Sequence, residues 1–134
     1  MQKRIPQVNH LTERVGQFAE GVRILTDWLG SGAVTVDPAT AQRRADICLK
    51  CPMNVNESFT AETIAAAIRK QVEIKNHLQL RVGGEKNLKI CSGCGCVLRL
   101  KIHVPLGNLG LDEEELKKFP DFCWMQSEFK NLKK

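Results

Sequence analysis

Two C-x-x-C pairs, Cys48-Leu49-Lys50-Cys51 and Cys91-Ser92-Gly93-Cys94, constrain this chain more than any other feature. A two-residue spacer lets the backbone wrap until both sulfurs face one ion, and amides in the turn can donate to the thiolates. Gly93 and Gly95 permit the tight turn. Two such pairs supply four thiolates, the donor set of a closed tetrahedral zinc site. Cys48, Cys51, Cys91 and Cys94 are therefore the expected metal ligands, and Zn2+ is the expected ion. The 39 residues between Cys51 and Cys91 exceed the usual zinc-ribbon gap. A helix inserted between the two knuckles would fill it.

Two further cysteines complete the six. Cys96 shares the parity of Leu98 and Leu100, which places it on the buried face of an expected strand, and Cys123 sits in the aromatic stretch FPDFCWM. Both can be buried structural thiols, a common fate of cysteine. They can also be ligands, one replacing a knuckle cysteine or both joining a second ion. The expected metal content is accordingly one or two zinc ions.

The hydrophobic pattern places the knuckles among helices. Leu11, Val15, Phe18, Val22, Leu25 and Leu29 recur at alternating steps of four and three, predicting an amphipathic helix over 10–29 that ends at Gly30–Gly32. It packs on its own domain or meets a partner helix. Asp37 as a cap and Pro38 at the first helical position start a second helix, with Arg43 and Arg44 on its surface, that runs into Cys48. A third is expected over 60–80, with Ile64, Ala67, Ile68 and Val72 on one side.

Leu88 and Ile90 lead as a strand into the second knuckle. Beyond it, Leu98, Leu100, Ile102 and Val104 alternate with Val97, Arg99, Lys101 and His103, predicting a half-buried strand with a polar face. The stretch LDEEELKK has acids first and lysines last, as a short helix would. Phe122, Met125, Phe129 and Leu132 give a C-terminal helix. The fold class expected is α+β: a zinc-ribbon-like small antiparallel sheet with flanking helices and an inserted helix. The organisation expected is an N-terminal helix and linker over 1–36, then a zinc-binding module over 37–134 with the insertion near 57–86.

Charge bears on partners. Residues 1–67 balance seven Lys and Arg against seven Asp and Glu, while residues 68–134 carry the whole net charge of +5. Lys86, Lys89, Arg99 and Lys101 could form a basic surface for nucleic acid. No aromatic residues interleave with them as single-strand binding would need. His10, His77 and His103 read as solvated. No phosphate loop, Ser/His/Asp order or paired-carboxylate pattern is present, so no enzyme is expected. No stretch reaches the ~20 apolar residues of a membrane span, and MQKRIPQVNH is too polar for a signal peptide. A reducing compartment follows, where six cysteines favour metal or redox work over disulfides; export would make three disulfides the competing account. Iron–sulfur chemistry fits less well, because Cys91, Cys94 and Cys96 break the C-x-x-C-x-x-C rhythm.

The stretches RADICLKCPMN and CSGCGCVLRLK, with a late cysteine beside a tryptophan, resemble a group of small zinc-ribbon-like proteins encoded by tailed phages and prophages. The positions that carry the resemblance are Cys48, Cys51, Cys91, Cys94, Gly95, Cys96, Leu98, Lys101, Cys123 and Trp124. It covers roughly residues 43–124, interrupted by the insertion. In that group a Cys-Pro with a Trp a few residues later usually closes the motif; here Trp124 follows Cys123 directly. The resemblance implies that all six cysteines act together, and it implies a phage context without an assigned activity. The expected function is a non-enzymatic zinc-stabilised phage or prophage protein, acting as a protein-interaction or virion-associated module. It would work in the bacterial cytoplasm or on the particle, with another phage or host protein as partner. The alternatives are a zinc-ribbon nucleic-acid-binding protein and a redox or iron–sulfur protein.

Overall fold

The computed structural model describes residues 19–110 and 112–132. His10, Leu11, Val15, Phe18 and the side chain of Leu132 lie outside the described residues. The first helix, α1, is described over 19–30 and buries Leu25 and Trp28. Beyond it the chain turns through Gly32 at φ 117 and Ala33 at φ 53. The Trp28 indole N–H closes this turn onto the Val34 carbonyl at 2.7 Å.

Helix α2, Pro38–Leu49, begins as its sequence dictates. Asp37 accepts the Thr40 amide at 3.0 Å, and Pro38 occupies the first turn, where a missing N–H costs nothing. Its buried stripe is Ala41, Arg44, Ala45 and Cys48. Arg44 is thus inside, not on the surface as its charge suggested. Helix α3, Phe59–Asn76, is capped by Ser58 and ends at His77, which adopts the left-handed region. It buries Ala61, Ala65, Ile68 and Val72. Ile64 and Ala67, expected on the packed side, face outward, because the buried stripe Ala61, Ala65, Ile68 and Val72, at steps of four, three and four, takes the other edge of that side.

The fold is α+β. Strand β1, Asn54–Asn56, pairs antiparallel with β2, Ile90–Cys91, so α3 is inserted between the two strands. Asn54 pins the join by accepting the Lys89 amide at 2.6 Å and donating to the Asn87 carbonyl at 3.0 Å. An Ile90–Val97 bridge folds the chain back after the second knuckle.

The strand expected over 97–104 is not formed. Leu98–Lys101 is a helical turn, α4, with the Lys101 amide on the Val97 carbonyl at 3.0 Å. Every residue from Val97 to Val104 is buried except Arg99, which is half-buried. Apolar–polar alternation marks a strand only when the polar set reaches water, and here Lys101 and His103 are taken inside. Short helices α5, Glu113–Leu116, and α6, Trp124–Leu132, follow. In α6 Met125 is buried and Phe129 packs against the core. Phe122 precedes the helix and is exposed.

Arg44 ties these pieces together. Its guanidinium donates to the carbonyls of Ile102 at 3.0 Å and Val104 at 2.7 Å, which lie where α4 runs out and its last carbonyls lack helical partners. It also grips Glu128 of α6 through two donors, at 2.9 and 2.5 Å, and stacks over Trp124 at 4.1 Å. A buried guanidinium is tolerated only when its donors are satisfied in this way.

Candidate metal centre

Three segments bring the cysteines together. The end of α2 carries Cys48 and Cys51, joined by a Cys51 amide to Cys48 carbonyl bond of 3.0 Å. The sheet sets the second knuckle beside the first, pairing Asn54 with Cys91 and donating the Ser92 amide to the Met53 carbonyl at 2.8 Å. Within that knuckle the Gly95 amide bonds the Cys91 carbonyl at 2.8 Å, and the Gly93 amide reaches Cys91 Sγ at 3.3 Å. Gly95 sits at φ 76, a left-handed turn suited to glycine. Cys123 enters from the start of α6. None of the six is in a disulfide.

At the centre is an ammonium that the sequence placed on the surface. Lys101 is buried, and its Nζ donates to Cys94 Sγ at 2.8 Å. The Phe119 and Trp124 rings stand 5.5 and 5.6 Å away. Among the described residues Lys101 pairs with no carboxylate. Burial alone would drive it towards neutrality, but the sulfurs of Cys94, Cys96 and Cys91 outweigh that and hold it charged. The cost of burying this cation is thus offset by sulfur.

The sulfurs respond in opposite directions. Hydrogen bonds from Cys91 and Cys96, helped by Lys101, hold Cys94 well below the usual thiol range. Cys91 and Cys96 are pushed up, because each donates to Cys94. Burial pushes Cys48 up to about 11, against the Trp124 indole N–H that donates to its Sγ at 3.2 Å. Burial likewise raises Cys123, which feels Lys101, Cys51 and Cys94. Among the described residues, no three His, Cys, Asp or Glu side chains close to a spacing that would hold an ion. The sulfurs gather about an ammonium instead.

Comparisons with family models, curated proteins and solved structures find no match to this chain.

By chemistry rather than by spacing, the thiols suit a soft divalent ion: among the described residues no carboxylate stands with them, and Cys51 and Cys94 are only half-buried. Of the residues expected to form a nucleic-acid surface, Lys89 and Arg99 lie side by side, with the Leu98 amide on the Lys89 carbonyl at 2.9 Å and the Arg99 guanidinium on the Leu88 carbonyl at 3.3 Å. Lys101 is inside. Lys89 pairs with Glu57 at 3.1 Å and Arg99 with Glu62 at 3.5 Å, which leaves Lys86 exposed. His103, expected in water, is buried, and its Nε2 has no hydrogen-bond partner among the described residues. Sequence reasoning named Lys101 and Trp124 among the positions that carry the resemblance but not as donors to sulfur, and it set Arg44 on the surface. No described helix is long and apolar enough to cross a membrane.

Proposed function

We propose that this chain is a non-enzymatic, zinc-stabilised phage or prophage protein whose cysteines hold a metal that locks α2, the β1–β2 sheet and α6 into one docking module. The observation that carries the reading is a buried ammonium, without a carboxylate partner among the described residues, that donates to Cys94 and is held charged by the sulfurs of Cys94, Cys96 and Cys91, while Cys48 and Cys123 feel the same charge. Buried thiols with raised pKa values gain little from one another. A bound zinc would deprotonate them and tie the segments together, turning binding energy into folding energy. Zinc would draw the sulfurs towards itself, leaving Lys101 as an outer donor to Cys94 and Trp124 as a donor to Cys48.

The docking part of the reading draws on exposed apolar side chains. Phe59, at the start of α3, is 87% exposed, and Val55 of the nearby β1 is 54% exposed. The phage context comes from the motif resemblance alone.

The test is elemental analysis of protein purified without added metal, joined to thermal unfolding with and without a chelator. Zinc in the protein, and a cooperative transition that chelation abolishes and zinc restores, is the expected result. Metal-free protein whose unfolding ignores chelator would overturn the reading, and iron in place of zinc would replace it with redox chemistry.

A further inference from the structure

We propose that the outer face of α3 is a docking site for an amphipathic helix of a partner protein, one whose apolar seam is edged by carboxylates. The inference rests on the docking part of the reading above and deepens it by naming the partner's chemistry.

α3 carries two faces. The buried one, Ala61, Ala65, Ile68 and Val72, packs on the core. A second stripe, Thr60, Ile64, Ala67, Gln71 and Ile74, runs beside it at alternating steps of four and three, and every member is exposed. Leu78 follows just past the His77 cap and is exposed as well. Four of the seven large apolar side chains that the described residues expose, Phe59, Ile64, Ile74 and Leu78, belong to α3 or to its C-terminal end. Scattered apolar side chains on a surface need no explanation, but a concentration along one helix marks a place where something docks.

The face is edged by charge of one sign. Lys70 and Lys75 flank the stripe on opposite sides, both are exposed, and neither makes an ion pair among the described residues. The acids of α3 are engaged elsewhere: Glu73 with Arg69 at 3.5 Å, and Glu62 with Arg99 at 3.5 Å. Cations along both edges of an apolar stripe select carboxylates at the matching positions of a docked helix, as flanking charges do in coiled coils.

Two other occupants fit less well. A second copy of this chain would set these lysines against their own counterparts, and like charges across an interface weaken it. A lipid surface takes bulky side chains, whereas the middle of this stripe is Ala67 and Gln71. The small Ala67 lets a second helix come close. The Gln71 amide can pair with a side chain of that helix, while hydrocarbon would leave it unsatisfied.

The test uses the full chain and two synthetic helical peptides with the same leucine seam, one flanked by glutamates and the other by lysines. Fluorescence anisotropy should show the glutamate peptide binding about tenfold more tightly, with the difference shrinking at high salt. Ile74→Asp should abolish that binding and leave the unfolding midpoint unchanged, because Ile74 is 59% exposed and lies outside the core. The double variant Lys70→Glu, Lys75→Glu should reverse the preference. Binding of neither peptide, equal affinity for both, a preference that survives the charge reversal, or binding that Ile74→Asp leaves intact would each overturn the inference. So would self-association through α3 in sedimentation, or capture of anionic lipid vesicles or an oligonucleotide in place of either peptide. Zinc content read on the same samples separates this result from the metal reading, since either can fail alone.

Discussion

Lys101 Nζ and Cys94 Sγ are 2.8 Å apart, a buried ammonium donating to a sulfur that Cys91 and Cys96, with Lys101, hold well below the usual thiol range. Lys101→Met removes the cation while keeping most of the volume. Zinc affinity, measured by chelator competition, should fall about 10- to 100-fold, the usual effect of losing an outer-shell donor. An unchanged affinity would assign Lys101 to packing alone.

Gly21 of α1 lies against the backbone of Gly95 and Cys96, so that a methyl at position 21 would run into the Gly95 carbonyl. Backbone cannot swing aside as a flexible side chain can. Gly21→Ala should therefore cost about 1–3 kcal/mol in a denaturant titration, the range for overpacking. The effect should be larger than that of Gly30→Ala, where the added methyl meets nothing within 4 Å. Equal effects would detach α1 from the knuckle.

His103 should make stability pH-dependent. Burial lowers its pKa from 6.5 to about 4, with Arg69 and Arg44 adding repulsion that Glu73 only partly relieves. Between those values the unfolded chain binds more protons than the folded one, so stability rises with pH from about 4 to 6.5 and is flat for this group outside that window. In metal-free protein, His103→Gln should flatten that slope in urea unfolding. Parallel slopes for variant and parent would show that other groups cause it.

The two tryptophans give separate reporters. The Trp124 N–H donates to Cys48 Sγ, whereas the Trp28 N–H donates to the Val34 carbonyl. Zinc removal should change emission in Trp28→Phe and leave it almost unaltered in Trp124→Phe. The reverse pattern would place the metal away from Cys48.

Local signals were legible in the sequence. Asp37 and Pro38 mark the start of α2 because capping depends on neighbours three residues away. The length of chain between the knuckles announced α3. The alternation over 97–104 misled because it assumed that Lys101 and His103 reach water. Whether a charge goes inside depends on the partners that the fold supplies: sulfurs of the Cys91, Cys94 and Cys96 turn for Lys101, and Glu128 for Arg44, 84 positions away. A single sequence does not display such pairings. The outward turn of Ile64 was equally hidden, since the alanines Ala61 and Ala65, weak hydrophobic signals, line the buried face in its place.

The reach from Arg44 to Glu128, and from Cys48 to Trp124, also sets a schedule. A chain made from its N-terminus exposes Cys48 and Cys51 early, long before the indole and carboxylate that enclose them have been synthesised. Until then these thiols stand open on the nascent chain, available to ions, oxidants and chaperones. Their enclosure waits for residues 124 and 128, and a ribosome stalled before residue 124 would hold a chain with its thiols still bare.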